Sequence, residues 1–150
     1  MGATTMRRGL AAGLGALALI ATSVIAVPAA NAAGSGTACP SDRFCMYFNS
    51  DYAGARADFA YSDGSLAEEL FTDGPAGRNG WAVVVNNNAA SVINHSGTRV
   101  WVYTNARCTG DYWSVPAGKG MNLGTLRNKI SAIWFEGTGS CQVIRDQSWA

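Results

Sequence analysis

The stretch YFNSDYAG at residues 47–54 returns in altered form as YTNARCTG at 103–110. Both copies open on an aromatic (Tyr47, Tyr103). Both place a bulky residue five positions later (Tyr52, Cys108) and a glycine two further on (Gly54, Gly110). A glycine at one fixed place is what a sharp bend selects. Positive φ costs a residue with a Cβ roughly 1–2 kcal/mol and costs glycine nothing. The leading aromatic can then lie across the folded hairpin. A second pair follows: NNNAASVIN at 86–94 and RNKISAIWF at 127–135. Each sets an Asn three residues before a Ser (Asn88 to Ser91, Asn128 to Ser131) and continues into an apolar run. A hydroxyl on that later strand can satisfy the backbone groups that a tight bend leaves unpaired. A late strand locking an early hairpin is a Greek-key device, and here it occurs twice. Tyr47 and Ser91 are 44 residues apart, and Tyr103 and Ser131 only 28. An insertion at about 65–80 accounts for the difference.

The ends frame this repeat. Arg7 and Arg8 precede a run from Gly9 to Val27 without a charge, and then Ala30-Asn31-Ala32. That is the plan of a signal peptide with an A-x-A cleavage site, so residues 1–32 are read as a leader and 33–150 as the mature domain. Without Arg7 and Arg8 the 11 basic residues fall to 9 against 10 acidic, a net of −1 with no basic stripe. Nucleic acid is therefore not the expected partner, since its binding rests on many phosphate contacts. No further stretch is long and apolar enough to span a membrane. A single monomeric domain is expected.

All four cysteines (Cys39, Cys45, Cys108, Cys141) follow the leader, which implies disulfides and secretion. Three pairings are possible. Cys39–Cys45 with Cys108–Cys141 is favoured: the first closes a short ring around a Pro-Ser-Asp turn, and the second pins the C-terminal tail. Spacings of 5, 62 and 32 intervening residues lack the close pairs of a four-cysteine zinc site.

Short aromatic and β-branched runs at 45–48, 81–85, 91–94, 100–103, 112–115 and 131–135 read as strands, with glycine-marked turns between them. One segment differs. Residues 65–71, SLAEELF, carry a Ser-x-x-Glu capping box and apolar Leu66, Leu70 and Phe71, which predicts a short helix in the first half.

The paired Tyr-x4-bulky-x-Gly and Ser motifs resemble the βγ-crystallin Greek key, with Cys108 as a departure in the second copy. With the opening Cys39-Pro40, then Cys45-Met46-Tyr47, the chain is similar to the secreted bacterial peptidase inhibitor family I36. That resemblance implies an all-β, βγ-crystallin-like sandwich of two Greek-key motifs, about 39–96 and 98–141. It also implies an inhibitor that places an exposed loop in the cleft of an extracellular protease. The family includes an inhibitor of thermolysin-like metalloproteinases whose contact loop lies in a second short disulfide ring. This chain has no such ring, and the segments 73–80 and 117–122 are the candidate loops.

Catalysis has little to work with. His95 is the only histidine and sits in a turn, and no nucleophile elbow or H-E-x-x-H helix is present. The βγ-crystallin resemblance also raises Ca²⁺, through the pattern (Asn/Asp)-(Asn/Asp)-x-x-(Ser/Thr)-Ser. Asn87, Asn88 and Ser91 fit it until Val92. In the second copy Asn128 and Ser131 fit, while Arg127 and Ala132 do not. These loops offer no carboxylate, and ligand charge tunes affinity, so binding is expected to be weak or absent. The alternative to inhibition is a non-catalytic module for Ca²⁺, a glycan or a microbial surface. Trp81, Trp101, Trp113, Trp134 and Trp149 are candidate platforms for such a module, although Trp101, Trp113 and Trp134 lie in predicted strands and suit sheet packing.

Overall fold

The computed structural model describes residues 38–141, so the leader expected at 1–32 and Trp149 lie outside the described residues. The elements in chain order are β1 (Phe44–Tyr47), β2 (Arg56–Phe59), β3 (Ser91–Asn94), β4 (Val100–Asn105), β5 (Thr109–Val115), β6 (Gly120–Asn122), a 3₁₀ turn (Gly124–Leu126) and β7 (Ala132–Phe135). They form two antiparallel sheets, β2-β1-β3-β6 and β5-β4-β7. β6 follows β4 and β5 in sequence but pairs with β3 in the first sheet. In return, Asp63 of the first half bridges Ile133 of β7. The second half thus lends β6 to the first sheet and the first half returns a single-residue bridge, the exchange that makes two Greek keys one sandwich.

The core lies between the sheets. Phe44 and Met46 from β1 meet Val92, Val100, Val102, Ile133 and Phe135, and the rings of Phe44 and Phe135 pack edge to face at 6.3 Å. Alternation sends Cys45 and Tyr47 to the opposite side of β1, where they form a smaller cluster with Cys39, Tyr52 and Ile93. The disulfides are Cys39–Cys45 and Cys108–Cys141, as the spacing favoured.

The predicted helix at 65–71 does not form. The Leu66 amide donates to Ser131 O at 3.0 Å and the Phe71 amide to Val83 O at 2.9 Å. The carbonyls of Leu66 and Glu69 accept from Asn86 and Val85. Partners distant in sequence thus take the groups that an i to i−4 ladder would have used. The Ser65 amide is bonded by Asp63 Oδ1 at 2.7 Å, so the turn is capped from Asp63 rather than by the box with Glu68. Leu66 and Phe71 are buried as expected, but Leu70 is exposed. The predicted strand at 81–85 is likewise absent and leaves only a Leu70–Val84 bridge.

Candidate functional site: an anchored loop and the cleft between the repeats

The two hairpins share one backbone path. Asp51, Tyr52 and Gly54 have φ of 56°, 58° and 80°, and Arg107, Cys108 and Gly110 have 60°, 52° and 79°. A Cβ on Gly54 would lie 2.9 Å from both Asn49 Nδ2 and Asn79 O. One on Gly110 would lie 2.4 Å from Thr104 Oγ1. Tyr47 packs edge-on against Tyr52 at 6.0 Å, and burial pushes its phenol up to about 12. Tyr103 stacks on Tyr112 at 5.7 Å, because Cys108 offers no ring.

Ser91 closes the first hairpin. Its Oγ donates to Asn49 O at 2.7 Å and accepts the Tyr52 amide at 3.0 Å. Ser131 is not its counterpart. Tyr47 pairs across the sheet with Ser91, whereas Tyr103 pairs with Ala132. Asn87 and Asn128 are the equivalent left-handed residues, with φ of 60° and 56°. The Asn87 amide bonds Ile130 O and the Asn128 amide bonds Ala89 O, both at 2.8 Å. The Asn-x-x-Ser alignment is therefore one residue out of register. Ser131 stands where the first copy has Ala90, and its Oγ lies 3.3 Å from Asn87 Oδ1. The second hairpin has no hydroxyl lock from the later strand, where Ala132 stands opposite Tyr103. It is held by the Cys108–Cys141 disulfide, by the Arg107 amide on Gly64 O at 2.7 Å, and by the Asp111 amide on Thr104 Oγ1 at 3.0 Å.

The five residues read as calcium donors do not converge. Asn87 and Ser131 line one open cleft of about 470 Å³ with Asn86, Thr104, Asn105 and Lys129. Ser91 is committed to its hairpin, Asn88 Nδ2 donates to Val84 O and Asn86 O, and neither Asn88 nor Asn128 lines the cleft. The cleft carries no carboxylate, and Lys129 brings a positive charge to it. A hard divalent cation wants charged oxygen ligands, so the residues present do not fit Ca²⁺.

The segment 73–80 is the most exposed part of the long connection between β2 and β3. Residues 75–79 are all open to solvent. Its first end is held at Asp73. The Asp73 amide donates to Arg56 O at 3.0 Å, its carbonyl accepts Arg56 Nη2 at 3.0 Å, and its Oδ2 accepts the Asp58 amide at 2.7 Å. Arg56 is itself buried, bidentate on Asp58, and bonded to Ala38 O. Burial raises the Asp58 carboxyl, against the pull of the Arg56 guanidinium. The other end is held at Asn79, whose Oδ1 accepts Asn49 Nδ2 at 2.9 Å and whose carbonyl accepts the Ala55 amide at 2.8 Å. Gly80, at φ 84°, seats against Phe48, and a Cβ there would lie 2.1 Å from that ring. The other candidate segment, 117–122, is mostly committed. Gly120–Asn122 is β6, and the Gly118 amide is bonded to Asn94 O at 2.7 Å.

Three of the four described tryptophans serve packing, and the fourth, Trp113, is exposed. Trp81 lies against the core, and Trp101 sits between the Arg99 guanidinium at 5.8 Å and the Tyr112 ring at 5.5 Å. Trp134 Nε1 donates to Gly139 O at 2.7 Å. His95 is exposed, with Nδ1 2.9 Å from Cys39 O.

Among solved structures the fold is similar to one described under the evolution of the eye-lens βγ-crystallin domain fold, at TM-score 0.53 and 14% identity, over 66% of this chain and 90% of that one. It is also similar to a βγ-crystallin from Ciona intestinalis (TM-score 0.49, 16% identity, 63% of this chain and 99% of that one). A βγ-crystallin domain from Clostridium beijerinckii gives TM-score 0.48 and 22% identity over 62% of this chain and 95% of that one. No curated protein matches the sequence. The sheet topology and the first of these matches make the architecture a βγ-crystallin-type Greek-key sandwich. Within that class, the model of peptidase inhibitor family I36 matches residues 32–115, and the chain belongs to this family. I36 is a family of inhibitors and not of enzymes.

Proposed function

We propose that this protein is a secreted peptidase inhibitor whose loop at 73–80 occupies the active-site cleft of an extracellular protease. The observation that carries this reading is the anchoring of that loop at both ends. Asp73 is tied to Arg56 and Asp58, and Asn79 to Asn49 and Ala55, around an exposed tip. A loop held in one conformation before binding loses little entropy on docking, which is how a small rigid scaffold gains affinity. The matched family model spans the loop and supports the inhibitory role. Two disulfides and the leader-like N-terminus suit an oxidising compartment outside the cell. Neither Ca²⁺ nor nucleic acid enters this reading. The donors around the Asn87 and Ser131 cleft are neutral, and the surface charge is mixed.

The test is inhibition of trypsin, subtilisin, thermolysin and papain by the oxidised protein. Saturable inhibition of at least one at sub-micromolar concentration is expected. No inhibition of any of the four at ten micromolar would contradict the reading.

A further inference from the structure

The loop's own chemistry narrows its target. The exposed tip consists of Pro75, Ala76, Gly77, Arg78 and Asn79. A peptidase subsite that takes a bulky apolar side chain would find none here. Asn79 has its side chain fastened to Asn49. Arg78 is the one long side chain left, and its guanidinium makes no hydrogen bond or ion pair among the described residues. The backbone beside it is fixed. The Arg78 carbonyl accepts the Trp81 amide at 2.9 Å, and the Asn79 carbonyl accepts the Ala55 amide at 2.8 Å. A free cation on a rigid mount suits a pocket with a carboxylate at its base, as in serine peptidases of trypsin type.

We infer that Arg78 is the specificity residue of the inhibitory loop, and that its targets are serine peptidases with an acidic specificity pocket. This inference rests on the inhibitory reading above. The same geometry explains how the loop escapes being cut. The Arg78 carbonyl is turned inward to the Trp81 amide and is not presented to a nucleophile and oxyanion hole. Arg78 therefore fills the pocket while the Arg78–Asn79 bond stays intact.

The experiment compares the wild-type protein with Arg78→Ala, Arg78→Lys and Arg107→Ala against trypsin and thermolysin. Thermal melts confirm that each variant is folded. Losing one member of a desolvated charge pair costs a factor of about 100 or more. Arg78→Ala should therefore raise the inhibition constant for trypsin by that factor, and Arg78→Lys should restore most of it. Arg107, also exposed but bound into the second hairpin, should be neutral on substitution. Mass spectrometry after prolonged incubation should show no cut after Arg78. Three results would overturn the inference while leaving the inhibitory reading standing. These are wild-type inhibition of thermolysin and not trypsin, trypsin inhibition that survives Arg78→Ala, or a loss that follows Arg107 instead. Failure of the wild type to inhibit any peptidase would remove both.

Discussion

Replacing Cys108 and Cys141 together by serine should destabilise the domain by about 4 kcal/mol, roughly twice the cost of removing Cys39–Cys45. The ordering follows from loop length. Cys108–Cys141 joins residues 33 apart in sequence and Cys39–Cys45 joins residues 6 apart, and the longer ring withholds more freedom from the unfolded chain. The native state adds to the difference. The hairpin at 103–110 has no serine lock, and Cys108 stands where the first repeat has the packed ring of Tyr52. Chemical denaturation of the two double variants measures this directly. Equal losses would show that the unfolded chain keeps residual structure around residues 108–141.

Ser91→Ala should cost about 1–3 kcal/mol, and Ser131→Ala well under 1. Ser91 is fully buried and serves two backbone groups of the hairpin, Asn49 O and the Tyr52 amide. Removing its hydroxyl leaves both without that partner in a dry site, which costs more than the loss of an optional bond. Ser131 Oγ makes one long contact with the Asn87 side chain beside an open cleft. The effect of Ser91 should extend to inhibition. Asn49, held through its carbonyl by Ser91, in turn holds Asn79 at the end of the loop. Urea melts and inhibition constants for the two variants decide this. A larger loss from Ser131→Ala would restore the two serines to equivalent roles.

The fold was legible because its strongest constraints are local. Glycine at a positive φ, an aromatic five residues before a bulky one, and short β-branched runs all leave marks within a few residues. The helix expected at 65–71 was misread for the opposite reason. Its capping pattern is real, but Ser131, Val83, Asn86 and Val85 take its backbone groups from a distance. β2 escaped notice because Arg56 and Asp58 look like a solvated turn. In the structure they bury each other on one face of a strand. The slip of one residue between Ser91 and Ser131 arose because sequence spacing cannot tell a strand's first residue from the one before it. Cross-strand pairing can.

The loop itself could be nominated from composition but not chosen. Its anchors, Asn49 to Asn79 and Arg56 to Asp73, join residues 30 and 17 positions apart, and no local pattern connects them. The five residues named as calcium donors are dispersed for the same reason. Asn87 and Ser131 come together across the two repeats, while Asn88 and Ser91, adjacent to them in the motif, point to other partners.

The most direct measurement is hydrogen-exchange protection in the complex with an inhibited peptidase. Slowed exchange confined to the amides of residues 74–82, with β4 and β5 unchanged, is the predicted result. Protection centred on Trp101, Tyr112 and Trp113, with the loop exchanging as in the free protein, would contradict it.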